Sequence, residues 1–276
     1  MPVAHCTRSM VFLVLLATTL LLPGCRTAIP EQATGLGMTT ESLQGNPFQH
    51  RVFRLAASGD ADSHDRTTII LIDGDGRPFL DPTTIASDPT QAFSSLLDLA
   101  PTMARLGKVI YLGRPCYHRL EDPQCNPLYW TLARYGPDIV ASSVAVARRL
   151  AQAGDRVFLV GYSGGGVIAM LMAGRMQDSV SGVVTYGAPL DIAAWTTYHG
   201  YTPLSLSENP ADVTGNFSGF CQRHLFGDRD TVVPVALVRS WRWPALDREF
   251  VTAADHLCCW QDAVVEALRV QVGNCP

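Results

Sequence analysis

Arg156-Val-Phe-Leu-Val-Gly-Tyr-Ser163-Gly-Gly-Gly-Val-Ile-Ala-Met170 is the stretch whose reading decides the fold. Val157–Val160 is apolar at every position instead of alternating, the pattern of a strand covered on both faces by helices, as in a parallel sheet. Gly161-Tyr162-Ser163-Gly164-Gly165 follows at once as a Gly-x-Ser-x-Gly pattern, and helix-compatible residues run from Gly164 to Met176. A turn this tight between strand and helix forces its central residue into strained backbone angles, and flanking glycines relieve the crowding. The Ser163 hydroxyl then projects into the open beside a helix N-terminus, where developing negative charge is favoured. A phosphate-binding loop is excluded because no Lys-Ser or Lys-Thr follows the glycines.

Working outward, short apolar runs alternate with amphipathic segments. Strands are expected at Val52–Leu55, Thr68–Ile72, Lys108–Leu112, Arg156–Val160, Gly182–Tyr186, Gln222–Phe226 and Glu249–Val251. Helices are expected at Thr90–Leu106, Pro137–Ala153, Gly164–Met176, Pro234–Ser240 and Leu257–Val270. Strand–helix alternation of this kind argues for one doubly wound α/β domain, here residues 48–276. Residues 113–136 and 187–217 break the rhythm and are expected as loops or a small cap over the strand C-termini, where such sheets bind ligands.

A serine hydroxyl is a weak nucleophile and needs a base that is itself oriented by an acid. Downstream of Ser163 the histidines are His199, His224 and His256. His224 opens an apolar strand and reads as structural; His199 lies in the irregular 187–217 stretch. His256 follows the last strand and opens the last expected helix, the place for a base. For the acid, Gly227-Asp228-Arg229-Asp230-Thr231-Val232-Val233-Pro234 ends a strand and precedes a helix. Asp230 is the choice and Asp228 the competitor, the latter suited to a cap or surface role.

The backbone N–H of Gly164 should stabilise an oxyanion, with a second donor from the loop after an early strand. Ile72-Asp73-Gly74-Asp75-Gly76-Arg77 is such a loop, and the Asp75 N–H is the expected donor. Its acidity is expected to disfavour anionic substrates. Tyr162, Arg114, Trp195 and His199 are candidates for substrate contact, with Tyr117, Trp130 and Tyr198 in the same irregular stretches.

The chain has 276 residues, 47% hydrophobic and 17% charged, a balance that excludes a disordered protein. A net charge of −4 offers no basic surface for nucleic acid. The apolar run Met10–Leu22 is too short to span a bilayer and has the size of a signal-peptide core. Leu22-Pro23-Gly24-Cys25 resembles a bacterial lipobox, so residues 1–24 are expected as a signal peptide and Cys25 as a lipid attachment point. Residues 25–47 then read as a tether. The expected location is the cell envelope, with membrane attachment through the lipid and the domain exported. Six cysteines remain after Cys25, and an even number in an exported protein suggests disulfides. Cys116 and Cys125 could pair locally; Cys221, Cys258, Cys259 and Cys275 allow several pairings. A zinc site at His256, Cys258 and Cys259 lacks the usual ligand spacing, so no metal is expected.

Asp73-Gly-Asp-Gly76, Tyr111-Leu-Gly-Arg-Pro-Cys116, Gly161-Tyr-Ser-Gly-Gly-Gly166 and Asp255-His-Leu-Cys-Cys-Trp260 together make the chain similar to the α/β-hydrolase superfamily over about residues 50–276. More narrowly it resembles a group of bacterial α/β-hydrolase lipoproteins of poorly defined function. The resemblance implies the α/β-hydrolase fold: a mostly parallel, doubly wound sheet with helices on both faces and loop or cap insertions. It also implies Ser163, Asp230 and His256 as a triad for acyl transfer, with a small-molecule or lipid-like acyl substrate and no cofactor. Asp73-Gly74 stands where many members carry His-Gly, and no His-Gly-Gly-Gly loop exists. Rival readings keep the same residues: an acyltransferase or peptidase on the triad, or a surface binding module that has lost catalysis.

Overall fold

The strands of the computed structural model are β1 (Thr39–Gln44), β2 (Gln49–Leu55), β3 (Thr67–Ile72), β4 (Lys108–Leu112), β5 (Arg156–Tyr162), β6 (Val180–Tyr186), β7 (Cys221–Gly227) and β8 (Arg248–Val251). They form one sheet in the order β1-β2-β4-β3-β5-β6-β7-β8. From β4 to β8 every pairing is parallel, and β2 pairs antiparallel with both β1 and β4. The structure describes residues 28–58, 66–243 and 246–276. Residues 1–24 and Cys25, read as signal and lipid site, lie outside them.

The helices are α1 (Ile29–Gly35), α2 (Ala100–Met103), α3 (Pro137–Leu150), α4 (Gly164–Arg175), α5 (Ile192–His199), α6 (Val235–Ser240) and α7 (Gln261–Asn274). Because side chains alternate across a sheet, continuous apolar strands feed two cores. Ile70, Ile110, Leu159 and Val183 pack on one face with residues of α3, α4 and α6. Ile69, Val109, Phe158 and Val184 pack on the other with residues of α1, α2 and α7. All six residues of β3 are buried, as are Gly164–Ala173 of α4, which places the central strand–helix unit at the middle of the molecule.

Three expectations are corrected. Residues 29–44 are not a tether: α1 buries Ile29 and Ala33 in the second core, and β1 extends the sheet edge. β1 reads Thr-Thr-Glu-Ser-Leu-Gln and has no fully buried position, so it carried no apolar periodicity to detect. The helix expected at Thr90–Leu106 is reduced to a 3₁₀ turn at Leu97–Leu99 and to α2, with Pro101 in its first turn. Proline lacks an N–H and fits only the start of a helix, so it cannot lie in the interior of a longer one. The last helix starts at Gln261, not Leu257, because the Asp255 carboxylate takes the N–H groups of Leu257 and Cys258 at 2.8 Å each. Such side-chain acceptors draw backbone donors away from helix formation.

Disulfides join Cys116 to Cys125 within the first irregular stretch, Cys221 at the start of β7 to Cys275 after α7, and Cys258 to its neighbour Cys259. Among the described residues no helix is long and apolar enough to cross a membrane.

Two buried histidines tie elements together. His50 lies between the Gly113 carbonyl and the Ser142 hydroxyl, and His224 of β7 meets the Thr185 hydroxyl of β6 at 2.8 Å. Burial lowers the His50 pKa to about 4. Burial, helped by the Arg248 charge, lowers that of His224 to about 3. The unfolded chain therefore binds more protons than the native one below pH 6.5. Stability falls with pH by about 1.4 kcal/mol per unit for each histidine, down to about 4 for His50 and about 3 for His224. Urea unfolding should show the midpoint dropping steadily as pH is lowered from 7 to 5; a flat midpoint contradicts the neutral-histidine account.

Candidate active site

Ser163 joins β5 to α4 with φ 50° and ψ −125°, in the left-handed half of the backbone map. Its N–H donates to the Tyr186 carbonyl at 2.9 Å and its carbonyl accepts from the Gly166 N–H at 2.9 Å, so both sides of the turn are held. Gly165 is required by close approach: a Cβ there would lie 2.1 Å from the Ile72 carbonyl oxygen. The missing side chain lets the start of α4 press on the end of β3, and the loop after β3 is thereby brought beside Ser163.

Ser163 follows β5, the Asp228–Asp230 loop follows β7, and His256 follows β8, all at the carboxyl ends of parallel strands. The structure brings the three expected side chains together. Ser163 Oγ is 3.0 Å from His256 Nε2, and His256 Nδ1 is 2.8 Å from Asp230 Oδ2. The other Asp230 oxygen accepts the N–H groups of Val232 and Val233 at 2.7 and 2.8 Å. Asp228 points elsewhere, accepting the Ala253 N–H at 2.7 Å, which ties the loop after β7 to the loop after β8. A carboxylate that takes Nδ1–H leaves the Nε2 lone pair of a neutral imidazole facing the hydroxyl.

A cleft of about 430 Å³ opens over Ser163, lined among others by Asp73, Gly74, Ser94, Tyr162, His256 and Leu257. Tyr162 stands in its wall, and its hydroxyl donates to the His256 carbonyl at 2.6 Å, so it also holds the His256 backbone in place. Asp73 accepts from the Gly74 N–H and the Tyr111 hydroxyl. Its burial raises its pKa above the ordinary carboxylate range despite these bonds. Asp75 and Gly76, from the loop expected to supply an oxyanion donor, also line the cleft.

Three of the substrate-contact candidates lie elsewhere. Arg114 is buried away from the cleft surface and donates to Asp75 at 2.5 Å, because a buried guanidinium needs a carboxylate partner. Trp195 Nε1 and His199 Nε2 both meet the Val232 carbonyl at 2.8 Å, which braces the segment after Asp230. Trp195 lines a separate, apolar cavity of about 690 Å³ with Phe79, Ile85, Leu128 and Tyr201. Sequence reasoning missed Arg134 and Tyr135, which also hold Asp75; they lie in an aperiodic stretch with no local signal of a buried partner. Ser94 was missed because it was read inside a helix.

No family model matches the sequence, and no curated protein matches it. Solved structures match in fold. An α/β serine hydrolase without a lid from Xanthomonas campestris is 14% identical, with a TM-score of 0.54 over 85% of this chain and 91% of that one. An α/β serine hydrolase homologue from Coxiella burnetii is 18% identical, with a TM-score of 0.52 over 86% and 96% of the two chains. Est1E from Butyrivibrio proteoclasticus is 12% identical, with a TM-score of 0.58 over 85% and 99%. The chain has the α/β-hydrolase fold. Within this α/β-hydrolase fold, Ser163 occupies the sharp turn after the central strand.

A non-glycine residue at positive φ stores of order 1–3 kcal/mol of strain. Ser163→Gly should therefore unfold later than Ser163→Ala, by about 1 kcal/mol in a denaturant titration, since glycine accepts these angles without strain. Equal stability of the two variants would mean that the turn is not strained.

Proposed function

We propose that the protein is a serine hydrolase that cleaves an ester, thioester or amide of a small-molecule or lipid-like acyl substrate through an acyl-enzyme. The observation that carries this reading is the unbroken hydrogen-bonded chain from Ser163 Oγ through His256 to Asp230, at 3.0 and 2.8 Å. In this reading Ser163 Oγ attacks the acyl carbon as its proton passes to His256 Nε2. Asp230, fixed by two backbone amides, stabilises the imidazolium without taking its proton. The carbonyl electron pair moves onto oxygen and is met by the Gly164 and Asp75 N–H groups. Collapse breaks the bond to the leaving group, which takes the proton from His256. Water then repeats the sequence on the acyl-serine and releases the acid.

The reading extends to location. All six cysteines of the described residues are paired, which suits an oxidising compartment and supports the export expected from residues 1–24. Attachment to a membrane through Cys25 belongs to the same proposal.

A fluorophosphonate probe should label wild-type protein on the peptide containing Ser163 and leave Ser163→Ala unlabelled. His256→Ala and Ser163→Ala should each lose about 10⁴-fold or more in kcat on a p-nitrophenyl ester, with thermal unfolding still cooperative. A folded wild type that neither labels nor turns over any ester would favour a binding module and remove the claim of hydrolysis.

A further inference from the structure

Asp75 presents a difficulty for any oxyanion at this site. Its carboxylate lies against the first residue of α4: a Cβ on Gly164 would sit 2.1 Å from Asp75 Oδ1 and 2.6 Å from the Tyr135 hydroxyl. Gly164 is glycine because this carboxylate fills the space where a side chain would start. A bare negative charge so close to Ser163 would repel the charge that develops on an oxyanion. At the effective dielectric of a protein site, that repulsion would slow acylation by roughly 100-fold or more.

The carboxylate is not bare. Arg114 donates to Oδ1 at 2.5 Å, and Arg134 and Tyr135 donate to Oδ2 at 3.0 and 2.6 Å. The Tyr117 hydroxyl donates to the Asp75 carbonyl at 3.0 Å, so side chain and backbone are both gripped. The clamp is itself braced: Arg114 donates to the Arg134 carbonyl, and Arg134 Nε to the Thr131 carbonyl. Burial works to raise the Asp75 pKa, but the two arginines bring it down to about 2, so the carboxylate stays charged beside two cations. One carboxylate and two guanidinium groups leave a net positive charge behind the loop that lines the cleft.

Resting on the serine-hydrolase reading, we infer that Arg114 and Arg134 are positioning residues for the reaction: they cancel the Asp75 charge and fix its side chain, while Tyr117 holds its backbone, so that an oxyanion can form beside Gly164. All four clamp residues come from the 113–136 stretch, in which the Cys116–Cys125 disulfide closes a short loop that contains Tyr117. That stretch is a bracket for the oxyanion loop. The Asp75 share of the loop's acidity is thereby offset from within, whereas Asp73 has no cation among its bonded partners.

The test uses net charge as its variable. Arg114 is 3% exposed, so the variants are made at Arg134, whose side chain is 12% exposed. Arg134→Gln removes one positive charge; the double variant Asp75→Asn with Arg134→Gln restores the original net charge; Arg134→Lys keeps the charge without the fork. The readout is the second-order rate of fluorophosphonate labelling at Ser163, which forms a tetrahedral adduct and needs no identified substrate. Kcat and KM on p-nitrophenyl acetate are measured alongside, and near-UV circular dichroism reports the fold.

Arg134→Gln should label roughly 10- to 100-fold more slowly, through kcat with KM changed less than about threefold. The double variant and Arg134→Lys should each recover to within about tenfold of wild type. A structural role alone would leave the double variant no better than Arg134→Gln, and that result overturns the inference. So does an unchanged labelling rate in folded Arg134→Gln. If Arg134→Gln does not fold, the other two variants decide: both near wild type support the inference, and a larger loss in either overturns it. A wild type that is not labelled at Ser163 at all refutes the hydrolase reading instead, so the two failures are distinguishable.

Discussion

The structure depends on one backbone constraint, the turn from β5 to α4 at Ser163. A central strand must stop, reverse into a buried helix and do so within a single residue at φ 50°. Close packing makes this possible: Gly165 allows the start of α4 to meet the end of β3, and the Tyr186 carbonyl of β6 takes the Ser163 N–H. The same contacts that hold the turn also set where the neighbouring loops end. Asp73-Gly74-Asp75 lies beside the serine because β3 is next to β5. The loops bearing Asp230 and His256 follow because β7 and β8 lie farther along the same parallel edge.

Charge is managed at this edge by solvating each carboxylate with protein donors. Asp230 has two backbone amides on one oxygen and the imidazole on the other. Asp75 has two guanidinium groups and a tyrosine hydroxyl. Asp73, lacking a cation among its bonded partners, responds to burial in the opposite way and has a raised pKa. A buried carboxylate needs donors to replace its water: Asp75 has cations, Asp230 has amides and an imidazole, and Asp73 has only neutral donors and a raised pKa. The irregular stretches after β4 and β6 serve the same end, since their polar side chains brace Asp75 and the segment after Asp230.

Legibility in the sequence followed the physics of each element. The apolar runs at residues 69–72 of β3 and 157–160 of β5 were visible because burial on both faces demands them. The edge strand Thr39–Gln44 was invisible because it is held by backbone pairing to β2 and leaves its side chains largely exposed. Thr90–Leu106 has helical composition but is interrupted by Pro101, and its first half turns instead into the cleft wall at Ser94. Helix α5 was lost in a stretch read as loop, and its buried residues are only Ile192 and Thr196.

What the sequence determined by itself was the parallel α/β core and the order of serine, acid and histidine along it. Apolar periodicity and a turn that only small residues permit are local properties, written in consecutive positions. It also narrowed the proposed acid to Asp228 or Asp230 and the proposed base to His256, from their places after strands. The tertiary structure decided what depends on residues far apart in the chain. It separated Asp230 from Asp228 by their hydrogen-bond partners, paired Cys221 with Cys275 across 54 positions, and turned Arg114 from the cleft to Asp75. Such partnerships follow from the crossing of buried elements and the need to satisfy buried charge, and neither leaves a spacing to read in the chain.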